Sequence, residues 1–388
     1  MLAAVLLAGC GSGPGDEDTR VRGDTLTIYM SAPAHGLSAE GGEAAQAGAR
    51  RALSDAGGRV GRRRVRLVSL PSTRPGDDYW DPGTVEANAE RATDDPTAIA
   101  YLGELDLGGS AVSLPVTNRA GLVQVSPADG LRSLTGVPPG RPGGGPERYY
   151  PEDRRTFVRL VPNDLEVAGA MLAGAERLGA RRPAILHTEG VAERELAGML
   201  AQRGRADGLE PAATEPLRDD ADAAAQVAED LVADRPDAVL LAGVPGPATT
   251  ALLGVLAERL PGTPVICSAP MARAGPRAAP DGTAVVTPVS PPAERSLRAR
   301  GLIASLGRGG AAAGPESLQG YEAMRLVLDA IEGAGPDRLA VARAALEPRT
   351  RESVLGPYSV RPSGDVEGLR LHVTGLGGGR PATALESP

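Results

Sequence analysis

Lysine is absent from this chain, and several other residue types are scarce. All 41 basic residues are arginine, aromatic residues make up 2% of the chain, and there are two cysteines and three histidines. Without lysine the chain can form neither a Walker-type phosphate loop nor a Schiff base. Two cysteines and three scattered histidines do not make a zinc site. The net charge of −8, with dispersed arginines, argues against nucleic acid as a partner.

Small aliphatic residues supply most of the hydrophobic content. Hydrophobic residues make up 41% of the 388 positions, much of this fraction is alanine, and there are 52 glycines and 35 prolines. A core of alanine, valine and leucine suits helices that pack closely on sheets. The length predicts two domains or one large two-lobed unit.

The first ten residues, MLAAVLLAGC, form a short apolar run that ends in Leu7-Ala8-Gly9-Cys10. This pattern is typical of bacterial lipoprotein processing, which would leave an acylated Cys10 as the new N-terminus. The run is too short for a membrane span of about 20 residues. It also lacks a basic n-region, so we expect translation to begin further upstream. An ordinary apolar N-terminus is the alternative.

Two further expectations follow from an acylated Cys10. Residues 11–24, rich in glycine, proline and acids, are expected to be a flexible linker between the lipid and the folded body. The other cysteine, Cys267, ends the apolar run Pro264-Val265-Ile266-Cys267. We expect it to be buried and unpaired.

Short apolar runs alternate with helical patterns over residues 25–125 and again over 156–332. This alternation predicts βαβ units and parallel sheets, and therefore a two-lobed α/β fold. The Pro/Gly-rich residues 131–155 interrupt the alternation and are expected to form an irregular surface loop. A last pair of strands is predicted over 354–360 and 369–373, joined by a turn at Ser363-Gly364-Asp365.

No catalytic motif was found: the sequence has no HExxH helix, nucleophile elbow or EF-hand loop. The acidic pairs Asp77-Asp78, Asp94-Asp95 and Asp219-Asp220 flank loops, where a solvated surface is a better reading than a catalytic dyad. The sequence therefore favours a binding protein that needs no metal or other cofactor, with an enzyme as the minority alternative.

Six stretches carry a resemblance to a known family. They are GARRALSDAG (48–57), DDYWDPGTVEANAER (77–91), YLGELDLGGSAVSLPVTNRAGLVQVSP (101–127), residues 183–197, GYEAMRLVLDAIEG (320–333) and GPYSVRPSGDVEGLRL (356–371). In their order and spacing the chain resembles the type I periplasmic-binding-protein superfamily, specifically the lipid-anchored receptors of branched-chain amino acid ABC importers. The resemblance implies two Rossmann-like parallel-sheet lobes joined by three hinge crossovers, with a small ligand bound between them.

The resemblance also implies boundaries and partners. It places residues 25–157 and 288–347 in the first lobe, 158–287 and 348–375 in the second, and 376–388 in a tail. The expected protein is an extracytoplasmic, lipid-anchored monomer that delivers a small molecule to an ABC permease. A sensory module of the same fold, which presents its ligand to a membrane receptor, is the alternative.

The residues with which this family binds an amino acid, here called its amino-acid clamp, are mostly replaced in this chain. The hydroxyl residue expected after the third strand corresponds to Leu107. In a second hydroxyl motif, after the fourth strand, Ser126 and Ala128 fit but Gly130 replaces a threonine. We nevertheless treat Leu107, Ser126 and Ala128 as candidate ligand-binding positions.

The second lobe departs further from that clamp. The resemblance places the cleft tyrosines of the family near Ala192 and Val244, and the carboxylate that would pair with a ligand ammonium near Ala269. An unpaired ammonium in a closed cleft costs at least about 1–3 kcal/mol. We therefore expect that free leucine, isoleucine and valine are not tight ligands.

Four polar residues are candidates to line the cleft instead, each with an alternative role. His35 follows the first strand and is otherwise an exposed loop residue, while Ser110 otherwise caps a helix. Asp129 is a candidate partner for a cationic or hydroxylated group, or else holds a turn. Glu189 is the best acid of the second lobe, or else lies on the surface.

Three aromatic residues also have two alternative roles each. Trp80 is expected to pack in the protein rather than stack on a ligand. Tyr149 and Tyr150 either cover the mouth of the cleft or anchor the preceding loop.

Overall fold

The computed structural model describes residues 19–141, 143–273 and 280–376, which form two lobes with a sheet in each. Cys10 and most of the predicted linker lie outside these residues. The first sheet has the order β2-β3-β1-β4-β5-β6 and is parallel except for the short β2. Its strands are β1 (Thr25–Ala32), β2 (Arg59–Val60), β3 (Arg63–Pro71), β4 (Ala98–Leu102), β5 (Val123–Ser126) and β6 (Phe157–Arg159). The helices that connect them are α1 (Ala39–Asp55), α2 (Pro82–Asp94) and α3 (Ser110–Arg119).

The second lobe repeats this design. Its first five strands are β7 (Ala184–Thr188), β8 (Ala213–Leu217), β9 (Val239–Ala242), β10 (Val265–Cys267) and β11 (Ala284–Thr287). The helices are α4 (Asp164–Arg177), α5 (Val191–Ala206), α6 (Ala221–Asp234) and α7 (Pro247–Arg259). The inner parallel strands, such as β4, β5, β9 and β10, are buried on both faces, as their near-continuous apolar runs require.

The chain then returns to the first lobe through α8 (Leu297–Arg308), α9 (Pro315–Ala334) and α10 (Arg338–Ala345). Helix α9 packs along α1 with almost no space between the backbones. A β-carbon on Gly320 would lie 1.9 Å from the carbonyl oxygen of Ala45, and one on Gly48 would lie 1.9 Å from that of Ser317. Glycine at these two positions is therefore what allows the helices to approach so closely.

A small antiparallel sheet follows, formed by β12 (Thr350–Arg351), β13 (Tyr358–Val360) and β14 (Val366–Glu367). The last strand, β15 (His372–Gly375), pairs antiparallel with β11 and completes the second large sheet in the order β15-β11-β10-β9-β7-β8. The chain thus passes between the lobes three times, after β6, after β11 and after β14. The predicted two-lobed α/β fold is confirmed.

Residues 348–367 lie in the first lobe, although the resemblance placed them in the second. Val354, Val360 and Val366 belong to the apolar core of the first lobe. The hydroxyl of Tyr358 donates to Oε1 of Glu322, on α9, over 2.9 Å. The predicted turn at 363–365 exists, but it joins β13 to β14, not to the strand at 372–375. The apolar side chains of this hairpin fix its location because they are buried in the core of the first lobe.

Other departures from the sequence prediction are local. Strand β8 was not predicted, and helix α10 lies beyond the predicted alternation at 156–332. Residues 131–155 are irregular as expected, but the described part is packed as well as exposed. Tyr149 and Tyr150 are buried in it, and the Tyr150 hydroxyl donates to the carbonyl of Leu134 over 2.9 Å, so these tyrosines anchor the loop.

Two further sequence expectations concern cysteine and membrane spans. Cys267, on β10, is buried and unpaired, and burial raises the pKa of its thiol to about 12. None of the described helices combines the length and hydrophobicity that a bilayer crossing requires.

A buried arginine holds the first crossover to the last hairpin. Arg159 ends β6 and is 0% exposed, and its Nε lies 3.1 Å from Oδ1 of Asp365 in the β13–β14 turn. Its two Nη atoms donate to the carbonyls of Asp129 and Leu131, each over 2.9 Å. Burial raises the pKa of Asp365, but the charges of Arg159 and Arg132 and the hydrogen bond from Thr135 outweigh it, so the pKa is lowered overall.

We expect Arg159→Met to destabilise the protein by about 3–5 kcal/mol, because it leaves a buried carboxylate without its main counter-charge. Arg361→Met is the matched control in the same hairpin, since Arg361 forms an exposed ion pair with Glu367 at 3.1 Å. Its cost should stay within about 1 kcal/mol. Urea unfolding of both variants measures the difference, and equal costs would contradict this role of Arg159.

Candidate functional site

A cavity of about 820 Å³ lies between the two lobes. The first lobe lines it with residues 76–81 and 105–108, which follow β3 and β4. The second lobe contributes residues 188–193, 244–249 and 268–270, which follow β7, β9 and β10. The cavity therefore lies at the carboxyl ends of strands from both sheets, where open α/β sheets bind their ligands. Its volume is within the range of small-molecule sites.

The lobes touch across this cleft. The Tyr79 hydroxyl, from the first lobe, donates to the carbonyl of Pro245 in the second. A β-carbon on Gly108 would lie 3.7 Å from Cβ of Ala192, at the start of α5. Ala192 also belongs to an apolar cluster that includes Leu107 of the first lobe. These contacts close one side of the cavity.

The loop after β4 is organised around the carboxylate of Asp129. Its Oδ1 accepts from the backbone N–H of Gly108 over 3.0 Å and of Leu131 over 3.1 Å, and its Oδ2 accepts from the N–H of Ser110 over 2.9 Å. Ser110 begins α3, so the carboxylate occupies the N-terminus of that helix. Asp129 thus fills, from within the chain, the kind of donor array that binds anions.

Two predicted serines support the same loop. The Ser126 hydroxyl donates to the carbonyl of Glu104 over 2.7 Å and accepts from the N–H of Asp129 over 2.8 Å. The Ser110 hydroxyl accepts from the N–H of Glu104 over 3.1 Å. Ser110, Ser126 and Asp129 are all fully buried and none of them lines the described cavity. Their hydroxyl and carboxylate oxygens are committed to the backbone.

The remaining predicted site residues separate into two groups. Leu107, Ala128 and Glu189 line the cavity, as does Trp80. His35 does not line the cavity. It is half-buried in the loop after β1, where its backbone N–H donates to Oγ1 of Thr73 over 2.9 Å. The positions that replace the expected polar clamp, Ala192, Val244 and Ala269, also lie on the cavity wall, where they present only apolar side chains.

Three buried carboxylates of the cavity were missed by sequence reasoning. Asp106, Asp164 and Glu193 line it with exposures of 8%, 4% and 6%. Asp164 is the first residue of α4 and Glu193 lies in the first turn of α5, and acids at such positions are normal helix-end residues in a sequence. Only the approach of the lobes makes them part of a wall.

Burial controls the protonation of these acids. It raises the pKa of Asp164 well above its ordinary value, and the charges of Asp129, Glu195 and Glu193 add to this, while Arg159 opposes it. Burial likewise raises the pKa of Glu193, against a backbone hydrogen bond that lowers it. The Oδ2 atom of Asp164 has no hydrogen-bond partner within the described chain, and neither does Oγ1 of Thr188, another lining residue.

Comparison with known proteins gives a family and a fold. A sequence model of the periplasmic binding protein family matches residues 25–367. Among curated proteins, no sequence matches the chain.

Several solved structures are similar over most of the chain. A solute-binding protein of an ABC transporter from R. palustris, in complex with 4-hydroxybenzoate, has a TM-score of 0.74 at 17% identity, covering 91% of this chain and 93% of that one. A leucine binding protein from Thermotoga maritima has a TM-score of 0.71 at 21% identity, with coverages of 90% and 94%. An ABC transporter substrate-binding protein from Desulfitobacterium hafniense, in complex with Leu, has a TM-score of 0.69 at 18% identity, with coverages of 90% and 96%. At these identities the likeness establishes the fold.

Glu104 lies behind the cavity wall and titrates in an accessible range. It is 1% exposed, and its Oε1 accepts from the Tyr101 hydroxyl over 2.8 Å. Burial raises its pKa from 4.5 to about 8, against the hydrogen bonds of Ser31, Tyr101 and Ser113, which lower it. The folded protein therefore holds this proton more tightly than the unfolded chain does.

We expect Glu104→Gln to flatten the pH dependence of stability. The contribution of Glu104 is full below pH 4.5 and is lost as the pH rises through about 8. Each pKa unit corresponds to about 1.4 kcal/mol, so the parent should lose several kcal/mol that the variant keeps. Urea unfolding at pH 5 and pH 8 measures this, with the exposed Glu210→Gln as control. Parallel pH profiles of parent and Glu104→Gln would contradict the prediction.

Proposed function

We propose that this chain, which belongs to the periplasmic binding protein family, is the solute receptor of an ABC importer and binds a small organic ligand between its lobes. The family match covers residues 25–367, and a periplasmic binding protein is an extracytoplasmic receptor, not an enzyme. The observation that carries the proposal is the cavity of about 820 Å³, walled by loops of both lobes. A ligand there contacts both lobes at once, so its binding energy favours closure.

The ligand is proposed to be amino-acid-like or derived from an amino acid, and free leucine, isoleucine and valine are proposed not to be tight ligands. Structural neighbours of the same fold are in complex with 4-hydroxybenzoate and with Leu, so the fold leaves the ligand open. In this chain Ala192, Val244 and Ala269 line the cavity where the family clamp is polar. Their apolar side chains support the view that the clamp is lost.

The partners follow from the proposal. The closed, loaded receptor docks on an ABC permease, and an acylated Cys10 keeps it at the outer face of the cytoplasmic membrane. A tether raises the effective concentration of the receptor at its permease. Cys10 lies outside the described residues, so this part of the proposal rests on the sequence pattern alone.

A ligand screen with a blocked variant tests the receptor function. The screen follows thermal unfolding over amino acids, amides, short peptides, polyamines, other amines and aromatic acids. Ligand at 100 times its Kd stabilises the folded state by about 2.7 kcal/mol. Ala128→Trp places a large side chain in the cavity and should abolish this shift. Ala87→Trp, on the exposed face of α2, should retain it.

Two outcomes would contradict the receptor function. One is a screen in which no compound of any class stabilises the parent. The other is a stabilising compound whose effect survives unchanged in Ala128→Trp, because its site would then lie outside the cavity.

Acylation of Cys10 is tested by a pair of cysteine variants expressed from the native locus, with the natural upstream sequence. We expect Cys10→Ser to move the protein from the membrane fraction to the soluble fraction and to abolish labelling by an alkynyl fatty acid. Cys267→Ala is the control, because Cys267 is buried in the second lobe and should not affect either readout. Persistent labelling of Cys10→Ser would contradict the anchor.

A further inference from the structure

The charge of the cavity wall has one sign. The described lining residues include no arginine, lysine or histidine, whereas aspartates and glutamates come from both lobes. Three of these acids, Asp106, Asp164 and Glu193, are more than nine-tenths buried. Carboxylates held in a low-dielectric cavity repel an anion and attract a cation more strongly than in water.

Several of the backbone donors that an anionic ligand could use are already occupied. The N–H groups of Gly108 and Ser110, at the start of α3, both donate to Asp129. At α4, the N–H of Leu165 donates to Oδ1 of Asn163 over 3.0 Å. At α7, the N–H of Gly246 donates to Oγ1 of Thr249 over 2.9 Å. These donors at α3, α4 and α7 are therefore occupied from within the chain, whereas α5, whose first turn also lines the cavity, has no side-chain cap.

Asp164 is the group that lacks a partner. Its Oδ2 is buried, lies in the cavity wall and has no hydrogen-bond partner in the described chain. The nearby Arg159 is committed to Asp365 and to backbone carbonyls. A buried acceptor left unsatisfied costs free energy, which a donor on a bound molecule would recover.

The cavity wall also contains groups that suit the body of an organic cation. Trp80 lines the cavity beside Gly108, and a tryptophan face is the best aromatic partner for a cation. Leu37, Val112 and Leu196 supply apolar surface, and Oγ1 of Thr188 is a further buried polar atom without a partner. In the described chain no three acids, histidines or cysteines converge as metal ligands do, so the carboxylates are too dispersed for a metal ion.

We propose that the cavity selects a small organic cation, an amine or amidine with an apolar body and no carboxylate, and that Asp164 pairs with its charged nitrogen. This proposal rests on the receptor function proposed above and names the class of its ligand. Glu193, which faces Asp164 closely enough for their charges to interact, adds attraction for the cation.

The test compares two series of compounds. The members of each series have similar carbon skeletons, and one is a cation, one a zwitterion and one an anion. They are 3-methylbutylamine, leucine and 4-methylpentanoate, and likewise 2-phenylethylamine, phenylalanine and 3-phenylpropanoate, titrated into the full chain by calorimetry. We expect each amine to bind at least tenfold more tightly than its amino acid, and the carboxylates not to bind. Putrescine and agmatine extend the series to dications.

Two near-isosteric variants test the role of the acids. Asp164→Asn and Glu193→Gln each remove a carboxyl group that can become the anionic partner of a bound cation, and they should weaken amine binding at least tenfold and several-fold, respectively. Asp207→Asn, just after α5 and exposed, is the control and should leave the affinity unchanged. Asp164→Asn should fold at least as well as the parent, since it removes a buried carboxyl whose pKa burial raises. The unfolding temperature of each variant checks this directly.

Proton release gives an independent readout. A cation that pairs with Asp164 expels its proton, so binding should release protons and tighten as the pH rises. The charged groups that face Asp164 are Arg159 from β6, Asp129 from the loop after β5, and Glu193 and Glu195 from α5. Calorimetry in buffers of different ionisation enthalpy measures the release, which should disappear in Asp164→Asn. A purely structural Asp164 would leave this release unchanged.

The outcomes separate the two proposals. Tight binding of the carboxylates or amino acids but not of the amines, lost in Ala128→Trp, would overturn the cation assignment and leave the receptor function intact. Amine binding with the same affinity in the parent, Asp164→Asn and Glu193→Gln would overturn the role of these acids. Absence of binding by every compound in both screens would overturn both proposals.

Discussion

The buried guanidinium of Arg159 is the interaction on which the rest of the structure depends. It joins the end of β6, the loop at 129–135 and the β13–β14 turn, because its nitrogens reach Asp365 and the carbonyls of Asp129 and Leu131. Because one buried guanidinium contacts all three segments, a shift of any one of them would break its ion pair or its hydrogen bonds to the others. β6 is also where the chain first leaves for the second lobe. The first crossover therefore starts from a fixed point, and Asp164, five residues later, is positioned from it.

The same network determines what the cleft can bind. Arg159 holds the backbone of Asp129, and the side chain of Asp129 occupies the start of α3 through Gly108 and Ser110. The N-terminus of α3 is thus occupied by an internal carboxylate before any ligand arrives. The charges left facing the cavity are then the acids around it, with Asp164 the least satisfied of them. Structures of the same fold are in complex with 4-hydroxybenzoate and with Leu. The fold is therefore compatible with different classes of ligand.

The sequence predicted most of the strands and helices and part of the cavity wall, but not the buried acids of that wall. The alternation of apolar runs with helical patterns is local, so it predicted the strands and helices that build the two sheets. The lobe assignment of β13 and β14 was wrong because it depends on which lobe Val360 and Val366 pack against. Local sequence patterns do not determine this tertiary contact. Asp129 was predicted to bind a ligand group or else to hold a turn, but its partners Gly108 and Ser110 precede it by about twenty residues, and only the sheet brings them together. Asp164 gave no signal beyond that of a helix-start acid, since its burial arises from the opposite lobe.

Closure of the cleft and the charge of the ligand are linked by the cost of burying carboxylates. In the arrangement described, Tyr79 contacts Pro245 across the cleft, and Asp106, Asp164 and Glu193 are all buried. Without a ligand, closure must either protonate these acids or hold them charged with poor solvation, and both cost free energy. A cation removes that cost only when the lobes come together around it, so its affinity for the closed state exceeds its affinity for the open one. This difference is what a receptor needs in order to report occupancy by its shape, because a ligand shifts a conformational equilibrium only by its differential affinity.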